Sequence, residues 1–176
     1  MVSEEIIFAG FGGQGILSMA KFLAYAGMDS DMNVSWLPSY GPEMRGGTCN
    51  CSVIISEDLV GSPIITNPST VIVMNRPSLE KFEPLLRKDG LLIMDSDLID
   101  ELPIREDINI VSIPAQSEAE KIGNKKIANM VLLGALVKKT KIVTIDAILS
   151  SLKDHGKESF FEVNKKAIEI GADYIK

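Results

Sequence analysis

Glycines close to the N-terminus are the first residues whose spacing suggests chemistry. The segment AGFGGQGIL (9–17) follows a short apolar run, and Gly10, Gly12 and Gly15 have the spacing G-x-G-x-x-G. Glycines between a strand and a helix let the backbone come close to a phosphate, and the N-terminus of the helix favours an anion. Gln14 falls in the first turn of that helix, where its amide could reach a ligand or a neighbouring chain.

Dinucleotide-binding sites share this glycine spacing between a strand and a helix, but one further part of their pattern is missing. Such a site needs an acidic residue about 20 residues later, at the end of the second strand, to hold the ribose. The second predicted strand ends in WLPS (36–39), which has no carboxylate, and Asp29 and Asp31 precede it. A stand-alone nucleotide-binding or dehydrogenase domain is therefore disfavoured. Tight packing without a ligand, and a site for an anion or a partner chain, both stay open.

A second loop carries three functional side chains between turn residues. In SYGPEMRGG (39–47), Tyr40, Glu43 and Arg45 stand among glycines and a proline. A guanidinium pairs well with a carboxylate or a phosphate because it offers parallel N–H donors. A solvated turn is the plain interpretation of this mixed charge, and a binding site or interface is the functional one. Met44 would be an exposed apolar side chain beside Arg45, which fits an interface.

Composition disfavours several classes of function. The net charge is −6 and no basic cluster exceeds a Lys-Lys pair, so a nucleic-acid-binding face is not expected. An iron–sulfur cluster needs about four cysteines. Cys49 and Cys51 share one face of a predicted strand, where we expect small buried side chains. The single histidine, His155, lies in the turn-like segment KDHGK. We therefore expect no metal site and no catalytic residue in this chain, and a solvated loop position for His155.

Targeting signals are also absent from the pattern. The N-terminus has acidic residues where a signal peptide needs positive charge, and no apolar run reaches the length of a membrane span. The chain is expected to be cytoplasmic and to have no membrane contact.

Apolar strands alternate with amphipathic helices along the chain. This alternation predicts an α/β fold in one domain, residues 1–176, with a three-layer, Rossmann-like arrangement and a mostly parallel sheet. The strand TCNCSVIIS follows a loop rather than a helix, so a mixed sheet is expected. Pro84 falls inside one predicted helix and should kink or split it. The predicted strands are 4–10, 32–38, 48–56, 70–75, 90–95 and 108–114, and the predicted helices are 15–28, 78–88, 123–139, 144–153 and 158–171.

The ends of these strands indicate where a ligand would bind. Ligands of parallel sheets lie at the carboxyl ends of the strands. This rule places the loop 10–15, the loop 38–47 and the turns after Met74, Asp95 and Pro114 on one rim of the sheet.

Three motifs in this order resemble a known family. GFGGQGI, SYGPEMRGG and GNKKIANMVLLGAL together are similar to the gamma subunits of 2-oxoacid:ferredoxin oxidoreductases, and the resemblance covers essentially the whole chain. The form GPEMRGGTCNCSV is closer to the 2-oxoglutarate and branched-chain 2-oxoacid members than to the pyruvate members. The three motifs together are far more specific than any one of them.

The resemblance implies a role inside a complex. Such enzymes oxidatively decarboxylate a 2-oxoacid, here with 2-oxoglutarate favoured, and use coenzyme A to give an acyl-CoA, carbon dioxide and reduced ferredoxin. By the same resemblance, thiamine diphosphate lies between alpha and beta subunits, and iron–sulfur clusters lie in beta or in a ferredoxin-like delta subunit. The gamma chain alone would then bind no cofactor and would be inactive. It would pack against the other subunits and frame the approach of coenzyme A. An isolated gamma chain with that interface bare is expected to self-associate.

The resemblance also assigns roles to residues. Arg45 is expected to pair with a phosphate of coenzyme A or a carboxylate of a partner, and Glu43 to orient it. Asn124 is expected to cap a helix, and Asn129 to bond a nearby loop or face the rim, so both have structural roles. The candidate cofactor-binding or interface residues are Gly12, Gly13, Gln14, Gly15, Tyr40, Gly41, Glu43, Arg45, Gly46 and Gly47.

Overall fold

A six-stranded sheet forms the centre of the structure, a computed structural model that describes residues 2–40 and 47–176. The order of the strands across the sheet is β2-β3-β1-β4-β5-β6 in chain numbering. The strands are β1 (Ser3–Phe11), β2 (Asn33–Tyr40), β3 (Thr48–Ser56), β4 (Thr70–Val73), β5 (Leu91–Asp95) and β6 (Asn109–Ile113).

Strand directions confirm the mixed, mostly parallel sheet. The pairs β1–β4, β4–β5 and β5–β6 are parallel, whereas β3 runs antiparallel to both of its neighbours, β1 and β2. Strands β4 and β5, with the sequences TVIV and LLIMD, are buried at every residue. Such continuous apolar runs are typical of parallel strands that are covered on both faces.

Helices cover both faces of the sheet, which confirms the three-layer α/β arrangement. One face packs against five helices in a core that includes Phe8, Ile55 and Leu132. The opposite face packs against a single helix and its flanking loops, in a core that includes Val73 and Leu79. The helices are α1 (Ile16–Asp29), α2 (Arg76–Phe82), α3 (Ala115–Lys121), α4 (Ala128–Thr140), α5 (Ile145–His155) and α6 (Phe161–Asp173). Within 2–40 and 47–176, none of these helices is long and apolar enough to cross a membrane.

Helices α4 and α6 touch backbone to backbone. Every side chain from 128 to 137 is buried. A Cβ atom added to Gly134 would lie 2.8 Å from the carbonyl carbon of Ile168, and one added to Gly171 would lie 2.7 Å from that of Val131. Two glycines therefore set the separation of these helices, and α4 in turn carries residues of the rim.

Helix α3 was not predicted from the sequence. It has seven residues and buries only two alanines, so it shows no apolar stripe. Its first turn is held by side chains from β5 and the residues after it. Asp95 Oδ1 accepts from the Ala115 N–H at 3.1 Å, and Asp97 Oδ2 accepts from the Ser117 N–H at 2.6 Å. Capping by carboxylates 20 residues away leaves no local sequence signal.

Two predicted helices differ at their ends from the structure. Pro84 splits the predicted helix 78–88, because α2 ends at Phe82 and residues 83–85 form a 3₁₀ turn. The predicted helix 123–139 begins later, since residues 125–127 form a 3₁₀ turn before α4.

The position predicted for His155 was wrong. Helix α5 extends two residues beyond the predicted end, so His155 is its last residue. The imidazole is exposed but stacks on Tyr25 of α1, with ring centroids 3.7 Å apart. Thr144 caps the start of α5 as its sequence signal indicates, since its Oγ1 accepts from the Ala147 N–H at 3.1 Å.

Candidate functional site

The two glycine loops meet at the rim of the sheet. The Gly12 N–H donates to the Gly47 carbonyl oxygen at 3.0 Å, which joins the first loop to the end of the second. The Gln14 amide donates to the Met74 carbonyl oxygen at 2.9 Å, which joins the first loop to the end of β4. The predicted common rim is confirmed for these three segments.

Helix α1 begins at this rim without a side-chain cap. Its N-cap residue, Gly15, has φ 74°, in the left-handed region that favours glycine. Among residues 2–40 and 47–176, no side chain accepts a hydrogen bond from this end of the helix, and the first turn of α1 has no acidic residue. The first N–H groups of α1 therefore point into the rim without an intrahelical acceptor, where the helix dipole favours an anion.

Asn129, in the first turn of α4, holds the glycine loop from the other side. Its side chain is buried, and its Nδ2 donates to the Gly15 carbonyl oxygen at 3.1 Å. A Cβ atom at Gly15 would lie 2.9 Å from Asn129 Cγ, so the close approach also requires glycine. The expected bond from Asn129 to a nearby loop is confirmed. Asn124 is also confirmed as a cap, because its Oδ1 accepts from the Lys126 N–H at 3.0 Å, although it caps the 3₁₀ turn before α4.

Gln14 holds the loop from within. Its Oε1 accepts from the Phe11 N–H at 2.6 Å, and its Nε2 donates to Met74, so one side chain ties the end of β1 to the end of β4. A Cβ atom at Gly10 would lie 2.5 Å from the same Oε1, so Gly10 leaves the space that this side chain occupies. Gln14 therefore positions the loop, and its contact with a ligand or a partner chain stays a prediction.

Replacing Gln14 by alanine is expected to lower the free energy of unfolding by about 2 kcal/mol, because two hydrogen bonds to backbone groups are lost together. Urea unfolding followed by circular dichroism measures this difference. Gln116→Ala is the matched control, since Gln116 lines the same cleft and its side chain has no hydrogen bond within the described part of the chain. Equal stability of the two variants would show that Gln14 does not brace the loop.

Two clefts open on either side of Gly13. The first, called here the loop cleft, has a volume of about 160 Å³. The second, called here the helix cleft, lies beside the first turn of α1 and has a volume of about 310 Å³. Gly13 and Lys126 line both clefts. The loop cleft is lined by Gly13, Gln14, Met74, Gln116, Lys125, Lys126 and Ala128. The helix cleft is lined by Gly13, Gly15, Ser18, Phe22, Asn124, Lys126, Ile127, Asn129, Met130, Gly156, Lys157, Phe160 and Asn164.

Lysines give these clefts a positive character that sequence reasoning missed. Lys125 pairs with Glu120 at 3.2 Å. Across residues 2–40 and 47–176, no carboxylate lies within ion-pair distance of Lys126 or Lys157. The sequence signal for these lysines is the KK pair inside GNKKIANM. Two lysines, a helix N-terminus without a side-chain cap among the described residues, and a glycine backbone that carries no side chains form a surface suited to a phosphate or a carboxylate.

The second glycine loop is only partly described. Gly47 contacts Gly12, as noted above, and Tyr40 is the last residue of β2, paired in register with Cys49. The predicted residues Gly41, Glu43, Arg45 and Gly46, with Met44, lie outside the described residues.

Two buried polar atoms at the same rim have no hydrogen-bond partner in the described part of the structure. They are Asp95 Oδ2, at the end of β5, and Asn75 Nδ2, just after β4. Burial raises the pKa of Asp95 to about 6, against the opposing effect of N–H donors from Asp97 and Ala115. The rim thus keeps hydrogen-bonding capacity that the fold does not use.

The cysteines belong to the sheet rather than to a reactive site. Cys49 and Cys51 are buried and unlinked, on one face of β3, as predicted. Burial raises the pKa of Cys51 to about 12, so its thiol stays protonated. Among the residues that the structure describes, no three His, Cys, Asp or Glu side chains are grouped so that they could hold a metal ion.

Sheet order argues further against a dinucleotide site. In that arrangement the strand after the glycine loop and helix lies next to the first strand, so that its acidic residue reaches the ribose. Here the antiparallel β3 separates β2 from β1. Both acidic candidates, Asp29 and Asp31, lie at the opposite end of β2, at its start.

Comparison with known proteins identifies the family. Residues 5–174 match the family described as pyruvate ferredoxin/flavodoxin oxidoreductase. Ketoisovalerate oxidoreductase subunit VorA from Methanothermobacter marburgensis is 36% identical over 98% of this chain, and the chain spans 36% of VorA. The 2-oxoglutarate synthase subunit KorC from Methanothermobacter thermautotrophicus is 33% identical over 99% of this chain and 96% of KorC.

A solved structure agrees with these relatives. The gamma subunit of a keto/oxoacid ferredoxin oxidoreductase from Geobacter sulfurreducens superposes with a TM-score of 0.85 at 29% identity, over 97% of each chain. Family, relatives and fold are consistent over nearly the full length. The chain therefore belongs to the pyruvate ferredoxin/flavodoxin oxidoreductase family, in which it is a gamma-subunit-type domain of the 2-oxoacid:ferredoxin oxidoreductases.

Proposed function

We propose that this chain is the gamma component of a complex that oxidatively decarboxylates 2-oxoglutarate with coenzyme A, giving an acyl-CoA, carbon dioxide and reduced ferredoxin. The single observation that supports its part in this reaction is the pair of clefts around Gly13, where, in the described part of the chain, two lysines have no ion-pair partner and the start of α1 has no side-chain cap. The chain frames the approach of coenzyme A and has no catalytic residue of its own.

Phosphates are the groups of coenzyme A that this rim suits best. Lys126 lines both clefts and Lys157 lines the helix cleft, so both ammonium groups can face a phosphate beside the N–H groups of α1. Arg45 is also proposed to pair with a phosphate of coenzyme A or with a partner's carboxylate, and Glu43 to orient it. The family resemblance assigns thiamine diphosphate to the alpha and beta subunits and the iron–sulfur clusters to beta or delta. This assignment is consistent with a sequence that has neither a cluster-binding cysteine set nor a thiamine diphosphate motif.

The 2-oxoacid is proposed from the relatives. KorC, a 2-oxoglutarate synthase subunit, matches over nearly all of its own length. VorA, a ketoisovalerate oxidoreductase subunit, is slightly more similar but much longer than this chain, and it makes 3-methyl-2-oxobutanoate the second candidate. Assay of the complex with both acids decides between them. A higher kcat/KM with 3-methyl-2-oxobutanoate would overturn the 2-oxoglutarate assignment and leave the coenzyme A assignment intact.

Replacing Lys126 by alanine is expected to raise the KM for coenzyme A about tenfold, because a charge-assisted contact to a phosphate contributes about 1.5 kcal/mol. The KM for the 2-oxoacid should not change. Steady-state kinetics of the complex co-assembled with its alpha, beta and delta subunits measures both constants.

Lys138→Ala is the matched control, because it removes the same charge from the exposed far end of α4. Equal KM values for coenzyme A in the two variants would refute the role of Lys126. Kinetics of the wild-type complex with dephospho-coenzyme A in place of coenzyme A then shows whether the 3′-phosphate is the group recognised.

A further inference from the structure

One edge of the sheet is open and uncharged. Strand β2 is the edge strand, eight residues long, with the sequence NVSWLPSY and no charged side chain. Within residues 2–40 and 47–176, only β3 pairs with it. Proteins usually protect such an edge with charged side chains or cover it, because its free N–H and C=O groups can pair with a strand of another chain. Trp36 and Leu37 are each 41% exposed, on opposite faces of this edge.

Pro38 limits where another strand can pair. A proline in a sheet sits where its nitrogen faces the free edge, and the outward groups alternate along the strand. Val34 and Trp36 therefore present their N–H and C=O groups outward, and the pairing stretch ends before Pro38.

This stretch is complementary to itself. If two copies pair antiparallel about a two-fold axis at Ser35, Trp36 of each copy lies opposite Val34 of the other. Four backbone hydrogen bonds then form between these residues, and both copies of Pro38 lie outside the ladder. Aromatic and β-branched side chains form favourable cross-strand pairs, and an interface of this kind is typical of two-fold dimers.

Side chains of α1 extend the same surface. A groove of about 190 Å³ lies between α1 and β2, lined by Lys21, Ala24, Tyr25, Met28 and Trp36. Met28 is 59% exposed there. The two-fold axis makes the two α1 helices antiparallel, so Lys21 of one copy approaches the acidic end of α1 in the other, at Asp29 and Asp31. Charge is thus complementary between copies.

We propose that β2 is a dimerisation edge, at which two copies of this chain join their sheets into one of twelve strands. The proposal is independent of the coenzyme A assignment. The proposed dimer differs from self-association through the loop 41–46, because the contacts between its two copies centre on Ser35 of β2. A five-residue strand pair buries less than the roughly 1,200 Å² of a stable interface, so the groove and α1 must contribute, and a concentration-dependent dimer is expected.

Sedimentation velocity of the full chain up to about 0.5 mM tests this proposal. The wild-type chain is expected to dimerise as concentration rises, with a blue shift in the emission of Trp36, the single tryptophan. Trp36→Arg should remain monomeric with unchanged circular dichroism. Ile110→Arg is the matched control, because Ile110 is 45% exposed on the opposite edge strand, β6, and should leave the dimer intact.

A charge exchange tests the orientation of the two copies. Lys21→Glu should weaken the dimer, and Lys21→Glu combined with Asp29→Lys should restore it. A wild-type chain that stays monomeric throughout, or a dimer that persists in Trp36→Arg, would overturn the proposal. Protection of Trp36 only in the presence of the other subunits would assign the edge to one of them instead.

Discussion

Replacing Gly171 by alanine is expected to lower the free energy of unfolding by about 3 kcal/mol, because the added methyl group has no space between α4 and α6. Its Cβ would overlap the Val131 carbonyl group, 2.7 Å from the carbon, and would lie 3.1 Å from the Ala135 nitrogen. These neighbours are backbone atoms and cannot rotate away, so the helices must separate. Alanine gains about 1 kcal/mol of helix propensity over glycine, which is too little to offset the overlap.

Urea unfolding of Gly171→Ala and wild type measures this effect. Gly61→Ala is the control, because a Cβ at Gly61 meets nothing within 4 Å. A stability for Gly171→Ala within about 1 kcal/mol of wild type would show that α4 and α6 adjust without strain. The same variant also tests the rim, since α4 positions Asn129 against Gly15.

Replacing Asp95 by asparagine is expected to stabilise the protein increasingly as pH rises from 4 to 8, by about 3 kcal/mol in total over that range. Asp95 is fully buried, and burial raises its pKa from 3.8 to about 6. Between these two values the native state holds a proton that the unfolded state has lost. The contribution of this group to stability is therefore full below pH 3.8 and is lost as pH rises through 6. Asparagine keeps the acceptor for Ala115 and Asp97 but does not ionise.

The measurement is the difference in free energy of unfolding between Asp95→Asn and wild type at a series of pH values, in which the contributions of other groups cancel. A ¹³C titration of the Asp95 carboxyl group by NMR supplies an independent pKa. A stability difference that is constant with pH, together with a carboxyl titration near 4, would contradict the assigned burial effect.

Much of the fold could be predicted because its signals are local. Buried parallel strands such as LLIMD are continuous apolar runs. Thr144 marks the start of α5 as its cap, and Pro84 marks the point where α2 gives way to a 3₁₀ turn. The rim could be predicted without knowing the order of the strands, since the carboxyl ends of parallel strands lie at one edge of the sheet. The element that the sequence did not predict depends on long-range contacts. Helix α3 is held by Asp95 and Asp97, each twenty residues before the N–H group that it accepts from. The helix has only seven residues and buries only two alanines, so its sequence shows no helical apolar period.

The candidate site was predictable in its position but not in its contacts. The glycine motif located the loop, but the Gln14 side chain turns inward and bonds the backbone of Phe11 and Met74. The bond to Met74 joins residues that are 60 positions apart, so no local sequence pattern indicates it. The sequence does not single out Lys126, because a lysine pair on a predicted helix usually lies on the solvated side of the helix. Only the structure brings it to Gly13, at the wall between two clefts.

Reduction of ferredoxin by the complex assembled with and without this chain tests the central claim most directly. Alpha, beta and delta subunits are supplied with 2-oxoglutarate, thiamine diphosphate and coenzyme A, and the rate of ferredoxin reduction is followed by absorbance. We expect a coenzyme-A-dependent rate only when this chain is present, and none from this chain alone. The same coenzyme-A-dependent rate from the other subunits without this chain would contradict the account.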